Sequence, residues 1–311
     1  MRVRCSIALL TTALLGAACR GAPPASPSTV RTDPVAANAK CATCHAEIAD
    51  EWRKSLHHTS FDDPIFQAAY ARETQRFCVD CHAPEDASGG GQPALASLGT
   101  ACTTCHTEPH GKKKRDPAVA CAGCHEFSFP GREASNRPED RMQRTLSEHA
   151  ASPLAGVPCT ECHMPKTNGH QSHLFGGGRD PAWLRSAIAV KASRTDADIA
   201  VTLSPATVAH AVPTGDLFRR LAIGLETVDA NGDVTDREMR TVGRAFSLVH
   251  GERFEIADTR PGTHGANATT IAFGARAGRV RWFVSYQRVL ADGPGDVEIA
   301  EDLRVMEGWI E

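Results

Sequence analysis

The sequence predicts two successive regions of different fold class: a mainly α and irregular region to about residue 185, then an all-β, immunoglobulin-like sandwich over residues 186–311. Three observations predict it. Beyond Cys19, every cysteine lies between Cys41 and Cys162. Those cysteines form five copies of Cys-x-x-Cys-His, set among Gly- and Pro-rich connections. From Ser186 onward there is no cysteine, and apolar residues recur with period two.

The five motifs are Cys41-Ala42-Thr43-Cys44-His45, Cys78-Val79-Asp80-Cys81-His82, Cys102-Thr103-Thr104-Cys105-His106, Cys121-Ala122-Gly123-Cys124-His125 and Cys159-Thr160-Glu161-Cys162-His163. Each is the attachment signature of a c-type haem. Two thiols add to the two vinyl groups of one haem, and the adjoining His ligates the iron from the proximal side. Zinc also uses paired thiolates, but it has no need of a His after every second Cys, and five pairs suit four-ligand sites poorly. The sequence therefore predicts five covalently attached haems c in a multihaem cytochrome c domain over residues 39–185.

The N-terminus reads as an export signal over residues 1–18. Arg2 and Arg4 precede an apolar run, Ile7 to Ala18, that is too short to span a membrane. It ends Leu14-Leu15-Gly16-Ala17-Ala18-Cys19, which resembles the lipobox of bacterial lipoproteins, although Gly16 stands where Leu is usual. The sequence thus predicts a membrane tether through lipidated Cys19, in the periplasm, at the outer membrane or on the cell surface. Residues 19–38 are rich in Pro, Ala and Ser and are expected to be a flexible tether. Ten of the twelve cysteines sit in the motifs, so the mature chain keeps none for structural disulfides. A net charge of −3 gives no sign of a nucleic-acid partner. The basic run 112–115 is expected to be a solvated loop.

Within the haem region two helices are expected. One follows the first motif, with Ile48 and Trp52 at i, i+4 spacing; the other spans about Glu139 to Ala151. In the second region Ile188 and Val190 alternate, as do Ile199, Val201 and Leu203, then Leu221, Ile223 and Leu225, and Val280, Trp282, Val284 and Tyr286. Asn231-Gly232 signals a hairpin. About seven short strands are expected.

Nine histidines lie outside the motifs: His57, His58, His110, His149, His170, His173, His210, His250 and His264. That supply suffices for a second axial ligand at every iron. With only Met142 and Met164 in the haem region, mostly bis-His ligation is expected. On one continuous helix His57 would lie about 18 Å from His45, whereas two ligands of one iron stand about 4 Å apart. His57 is then expected to serve another haem. His110 follows His106 by one helical turn and would likewise cross to another haem.

The haem region resembles the multihaem cytochromes c related to hydroxylamine oxidoreductase and pentahaem nitrite reductase. Trp52-Arg53-Lys54-Ser55-Leu56-His57 is similar to their Trp-x-x-Ser-x-His, which implies that His57 is a distal ligand. His106 followed by His110 resembles a Cys-x-x-Cys-His-Gly-Pro-Gly-x-x-His element, here shortened to Thr107-Glu108-Pro109. Cys159 to Pro165 resembles a Cys-x-x-Cys-His-Met-Pro element, with His173 where a distal His is implied. His210-Ala211-Val212-Pro213-Thr214-Gly215-Asp216 resembles the His-x-x-Pro-Thr-Gly element of β-domains attached to such cytochromes, which implies that His210 reaches a haem at the domain interface. His149 completes the candidate distal set. The chain departs from the enzymes: it has no Cys-x-x-Cys-Lys motif, and only Tyr70 and Tyr286 could supply a cross-linked tyrosine. Electron transfer between redox partner proteins is therefore expected, with no catalytic residue assigned. The alternative is a reductase or oxidase of a small nitrogen or sulfur compound at one open haem.

Overall fold

Short helices carry the motifs, and most of the remaining cysteine-rich chain is turn and loop. The computed structural model describes residues 33–86, 88–89, 91–106, 117–263, 267–290 and 297–311. The export signal, Cys19, the basic run 112–115, His110 and His264 lie outside the described residues. The first elements are α1 (Pro34–Cys44), α2 (Ala46–Lys54), α3 (Pro64–Arg72), α4 (Arg76–His82), α5 (Pro93–Ala96), α6 (Cys102–Cys105) and α7 (Pro117–His125). There follow β1 (Glu126–Ser128), β2 (Arg141–Arg144), α8 (Thr145–Ala150), α9 (Cys159–His163), the hairpin of β3 (Lys166–Thr167) and β4 (His170–Gln171), and α10 (Pro181–Ala187).

One dipeptide starts three of these helices. Asp33-Pro34, Asp63-Pro64 and Asp180-Pro181 each place a carboxylate that accepts from the N–H two residues on, with proline at the first helical position. Helix α1 thereby takes in residues 34–38, which the sequence reading gave to the tether. Asn38 is buried, and its Oδ1 accepts from the Cys102 N–H at 3.0 Å. The helix expected after the first motif is α2, with Trp52 buried and its Nε1 donating to Thr100 O at 2.8 Å. It stops at Lys54, where Ser55 turns extended, so His45 and His57 do not share a helix. The helix expected over Glu139–Ala151 is half strand. Pro138–Asp140 is a 3-10 turn, β2 pairs antiparallel with β1, and only α8 is helical.

The second region holds β5 (Ile188–Arg194), β6 (Asp198–Pro205), β7 (Arg219–Val228), β8 (Val234–Val249), β9 (Glu252–Asp258), β10 (Thr269–Gly274), β11 (Val280–Val289) and β12 (Ile299–Ile310). These eight strands are all antiparallel, and β8 and β12 run to 16 and 12 residues, longer than the short strands expected. They form a sheet of order β10-β6-β5 and another of order β12-β11-β7-β8-β9. One apolar core draws on both: Ile199, Val201 and Leu203 of β6, Leu221, Ile223 and Leu225 of β7, and Val280, Val284 and Tyr286 of β11. Each such buried side chain stabilises the fold by about 1.5–3 kcal/mol. Strand β7 is central and covered on both faces. Its outward Gly224 lies beneath the Phe283 ring, which any Cβ there would strike. Outward Glu226 is fully buried and bound by Arg237 and Arg281, both at 2.6 Å, and Arg304 at 3.1 Å.

Asp33–Glu311 is one compact unit, and buried charge ties its two regions together. The Asp63 carboxylate, at the start of α3, accepts from both Arg179 and Arg288 of β11. A second cluster joins α8 to β9: Glu148 meets Arg144 at 3.3 Å and Arg260 at 2.6 Å, Arg144 meets Glu255 at 3.2 Å, and Arg260 meets Asp258 at 2.6 Å. Phe129, Leu217 and Phe246 add an apolar contact across the same junction. By contrast, among the described residues the cysteine-rich region has only a small apolar cluster of its own, Val79, Ala83 and Ala96 with Phe61 and Tyr70.

Burial pushes the Asp63 carboxyl up, but the bonds and charges of Arg288 and Arg179 outweigh it and hold it below the ordinary carboxylate range. A carboxyl lowered in the folded state contributes stability above its unfolded pKa of about 4, and that stability is lost as pH falls through the folded value. Asp63→Asn should therefore lower the melting temperature at pH 7, with the gap to wild type closing as pH falls below about 4. A gap that stays constant into that range would contradict the assignment.

Candidate haem sites

In an α-helix, residues i, i+3 and i+4 share a face. All five motifs use this. Cys41 and Cys44 close α1, Cys78 to His82 close α4, Cys102 and Cys105 bound α6, Cys121 to His125 close α7, and Cys159 to His163 make α9. Each motif thus sets two thiols and an imidazole within about one turn, the set that one covalent haem needs, with His45 and His106 just past the ends of α1 and α6.

Opposite three of the motif histidines stands a second imidazole. His57 faces His125 with ring centres 6.3 Å apart, His173 faces His106 at 6.3 Å, and His210 faces His163 at 6.2 Å. Two metal–nitrogen bonds of about 2 Å, with each ring centre about 1.1 Å behind its nitrogen, give a separation of about 6.2 Å. The three pairs therefore fit two imidazoles on opposite sides of one iron. The chain segments that meet in this way are remote: His210 lies on the loop between β6 and β7, His163 at the end of α9.

The ring nitrogens fit too. His82 Nδ1 donates to Ser60 O at 2.6 Å, His163 Nδ1 to Gly176 O at 2.8 Å, His173 Nδ1 to Gln171 O at 2.8 Å and His210 Nδ1 to Ala211 O at 3.0 Å. A carbonyl can only accept, so Nδ1 carries the hydrogen and Nε2 keeps the lone pair for a metal. Burial, with neighbouring histidines adding, lowers His57 to about 4. Burial, then Arg219 and nearby histidines, does the same to His125, also to about 4. Burial lowers His82 and His210 as well. Neutral imidazole is the form that binds metal.

Other histidines are engaged differently. His149 Nε2 donates to Val157 O at 2.9 Å, and no motif imidazole faces it among the described residues. His170, absent from the distal set read from sequence, lines a surface cavity with Cys44, His45, Glu47 and Ile48, and its Nε2 meets Glu51 at 3.2 Å. The same Glu51 accepts from the His173 N–H at 2.8 Å, docking the β3–β4 hairpin on α2. His58 packs on Trp52, with ring centres 4.1 Å apart. His250 turns the β8–β9 hairpin with φ 53°. Phe175 sits at φ 49°, a strained region for an aromatic residue, with its ring edge-on to His57 at 4.2 Å and His173 at 5.6 Å. Backbone acceptors and a strained Phe leave no mark in a sequence pattern.

The thiols of different motifs meet. Cys81 lies against Cys124, which together with burial pushes the Cys81 thiol far up. Burial pushes Cys121 up to about 11, with Cys159 and Cys105 adding, and raises Cys102 to about 11, with Cys41 adding.

Residues 40–107 match the family described as cytochrome c554 and c-prime. That stretch is a multihaem c-type cytochrome domain of this family. Over 87% of its length the chain also shares the fold of a penta-heme cytochrome c552 from Thermochromatium tepidum, covering 97% of that chain at 21% identity and a TM-score of 0.62. A match of that extent has to run through both the helical region and the β region of this chain. No curated protein matches it.

Covalent haem c suits the donor set: paired thiols, an imidazole beside each pair, and, among the described residues, a helical region with little apolar core of its own. The loop before the third motif is tightly shaped. Gly99 adopts φ +57°, and a Cβ there would lie 2.2 Å from His58 O and 2.4 Å from His57 O. Those atoms are backbone, so they cannot swing aside, and Thr100 N donates to His57 O at 2.8 Å. Gly99→Ala should displace the His57 segment, lowering the melting temperature and turning part of one low-spin haem high-spin. Unchanged absorption and paramagnetic resonance spectra would contradict this.

Proposed function

We propose that this cytochrome carries five haems c, one on each motif, and passes electrons between redox proteins by hopping from haem to haem. The three imidazole pairs at 6.2–6.3 Å carry the reading. In it, irons lie between His57 and His125, between His106 and His173, and between His163 and His210. Saturated irons leave no place for substrate, and the protein's part is to set spacing, ligands and polarity. The meetings of thiols from different motifs support an order. Cys41 and Cys102, and Cys105 and Cys121, lie within electrostatic reach of each other, which supports linking the first haem to the third and the third to the fourth. Cys81 against Cys124 and Cys121 against Cys159 bring the second and fifth haems to the fourth. The fourth haem is then the branch point.

The β region is a cap that supplies His210. Its strand orders, three-stranded β10-β6-β5 and five-stranded β12-β11-β7-β8-β9, support an immunoglobulin-like sandwich. The N-terminal sequence supports export and a lipid tether at Cys19. Among the described residues no helix is long and apolar enough to cross a membrane.

One observation favours a second reading, a reductase or oxidase at an open haem. Among the described residues no imidazole faces His82, whose surroundings include Asp216 and Arg219. Arg219 donates to Asp216 at 3.0 Å and to Tyr286 Oη at 3.4 Å, a polar group suited to a small anion.

The test is a haem count with low-temperature paramagnetic resonance of the oxidised protein. Five haems per chain are expected. The steep 70° angle at His57–His125 predicts a highly anisotropic low-spin signal, and the 27° and 15° pairs predict rhombic ones. His210→Ala should convert one low-spin haem to high spin, with added imidazole restoring it. A wild-type high-spin signal of one haem that binds cyanide or nitrite would favour the open-haem reading.

A further inference from the structure

We propose that Glu148, acting through Thr214 and Arg260, is a positioning residue that holds His210 over the haem of the fifth motif. The inference rests on the reading that His163 and His210 ligate one iron. His210 lies on a long connection between β6 and β7 that belongs to neither sheet. Backbone bonds fix its two ends, Ala206 N donating to Ala187 O at 2.9 Å and Phe218 O accepting from Val289 N at 3.0 Å; beside His210, Val212 N donates to Pro261 O at 3.0 Å.

Side chains do the rest. Thr214 Oγ1 donates to Glu148 Oε2 at 2.7 Å and accepts from Thr145 Oγ1 at 2.8 Å. Arg260 donates one nitrogen to Pro213 O at 2.8 Å and the other to Glu148 Oε1 at 2.6 Å. The two oxygens of one carboxylate thus grip the ligand loop twice, directly at Thr214 and through Arg260 at Pro213. Glu148 and Arg260 have side-chain exposures of 3% and 2%, so these bonds act where water does not compete.

The placement of Glu148 matters as much as its bonds. It sits on α8, in the cysteine-rich region, between the fourth and fifth motifs. The haem of the fifth motif is fixed to that same region by Cys159, Cys162 and His163. A distal ligand arriving from the β region has to be held to that frame within about half an ångström to stay on the iron. Glu148 is the group that refers the loop to the haem's own frame. The cluster around it is also balanced: Glu148, Glu255 and Asp258 face Arg144, Arg244 and Arg260. Removing the Glu148 carboxylate would leave an uncompensated buried guanidinium beside the loop.

The experiment uses the full haem-loaded protein with Glu148→Ala, Thr214→Val and, as reference, His210→Ala. Thr214→Val keeps shape and charge and serves where Glu148→Ala does not accumulate. Three quantities are read: the high-spin fraction of the oxidised protein, its reversal by added imidazole, and the rate of carbon monoxide binding to the reduced protein. Both positioning variants should show part of one haem high-spin, restored by imidazole, and carbon monoxide binding about tenfold faster, as expected for losing a bond to a buried charge. Variants that melt earlier yet stay wholly low-spin, with unchanged carbon monoxide binding, would overturn the positioning role. A His210→Ala protein that stays low-spin would overturn the ligand assignment beneath it, and the positioning role with it.

Discussion

An iron in a haem plane takes its axial imidazoles from opposite sides, about 6.2 Å apart between ring centres. In the proposed reading, that constraint orders the cysteine-rich region more than its own small apolar cluster does. In the proposed arrangement three of the five haems are pinned twice, once by the helical turn that bears the thiols and once by a residue from elsewhere. His57 comes from the turn after α2 to meet α7, His173 from beyond the β3–β4 hairpin to meet α6, and His210 from the β region to meet α9. Crossed ligation of this kind would replace sheet pairing and apolar packing as the source of long-range order. It would explain how so irregular a region can hold one arrangement when, among the described residues, Val79, Ala83, Ala96 and their neighbours are its one apolar cluster.

The β region supplies what the helical region lacks, a core that stands without cofactors. Leu221, Ile223 and Leu225 are wholly buried among residues of both sheets. Beside the apolar contact of Phe129, Leu217 and Phe246, the link between the regions is electrostatic, through Asp63 with Arg179 and Arg288, and through the Glu148–Arg260 cluster. Buried ion pairs are costly to form and costlier to break singly, so they specify one docking geometry better than a greasy surface would. A sliding apolar junction would let His210 drift, whereas paired charges fix its register against His163.

Much of this was legible in the sequence because the responsible patterns are local. The five motifs need only consecutive residues. Period-two alternation marked β5, β6, β7 and β11, whose inward faces are apolar, and Asn231-Gly232 marked the β7–β8 turn. The strands that escaped, β8, β9, β10 and β12, have outward faces carrying Arg, Glu and Thr or exposed apolar residues such as Leu248 and Ile256, which blur the alternation. Asp-Pro at three helix starts was a readable signal, and it would have placed the start of α1 at Pro34. Strand β2 was hidden because its pairing with β1 is a tertiary fact, overriding a stretch that reads as helical. The pairing of distal histidines could not be read at all. It depends on which segments meet, and the carbonyls of Ser60, Gln171, Gly176 and Ala211 that orient the rings belong to the backbone, whatever the side chain.

The most direct test of this account is the position of the irons in crystals of the haem-loaded protein, located by anomalous scattering at the iron edge. Five iron peaks are expected, with three lying midway between His57 and His125, His106 and His173, and His163 and His210. Iron peaks displaced from those midpoints, with these histidines away from any metal, would contradict it.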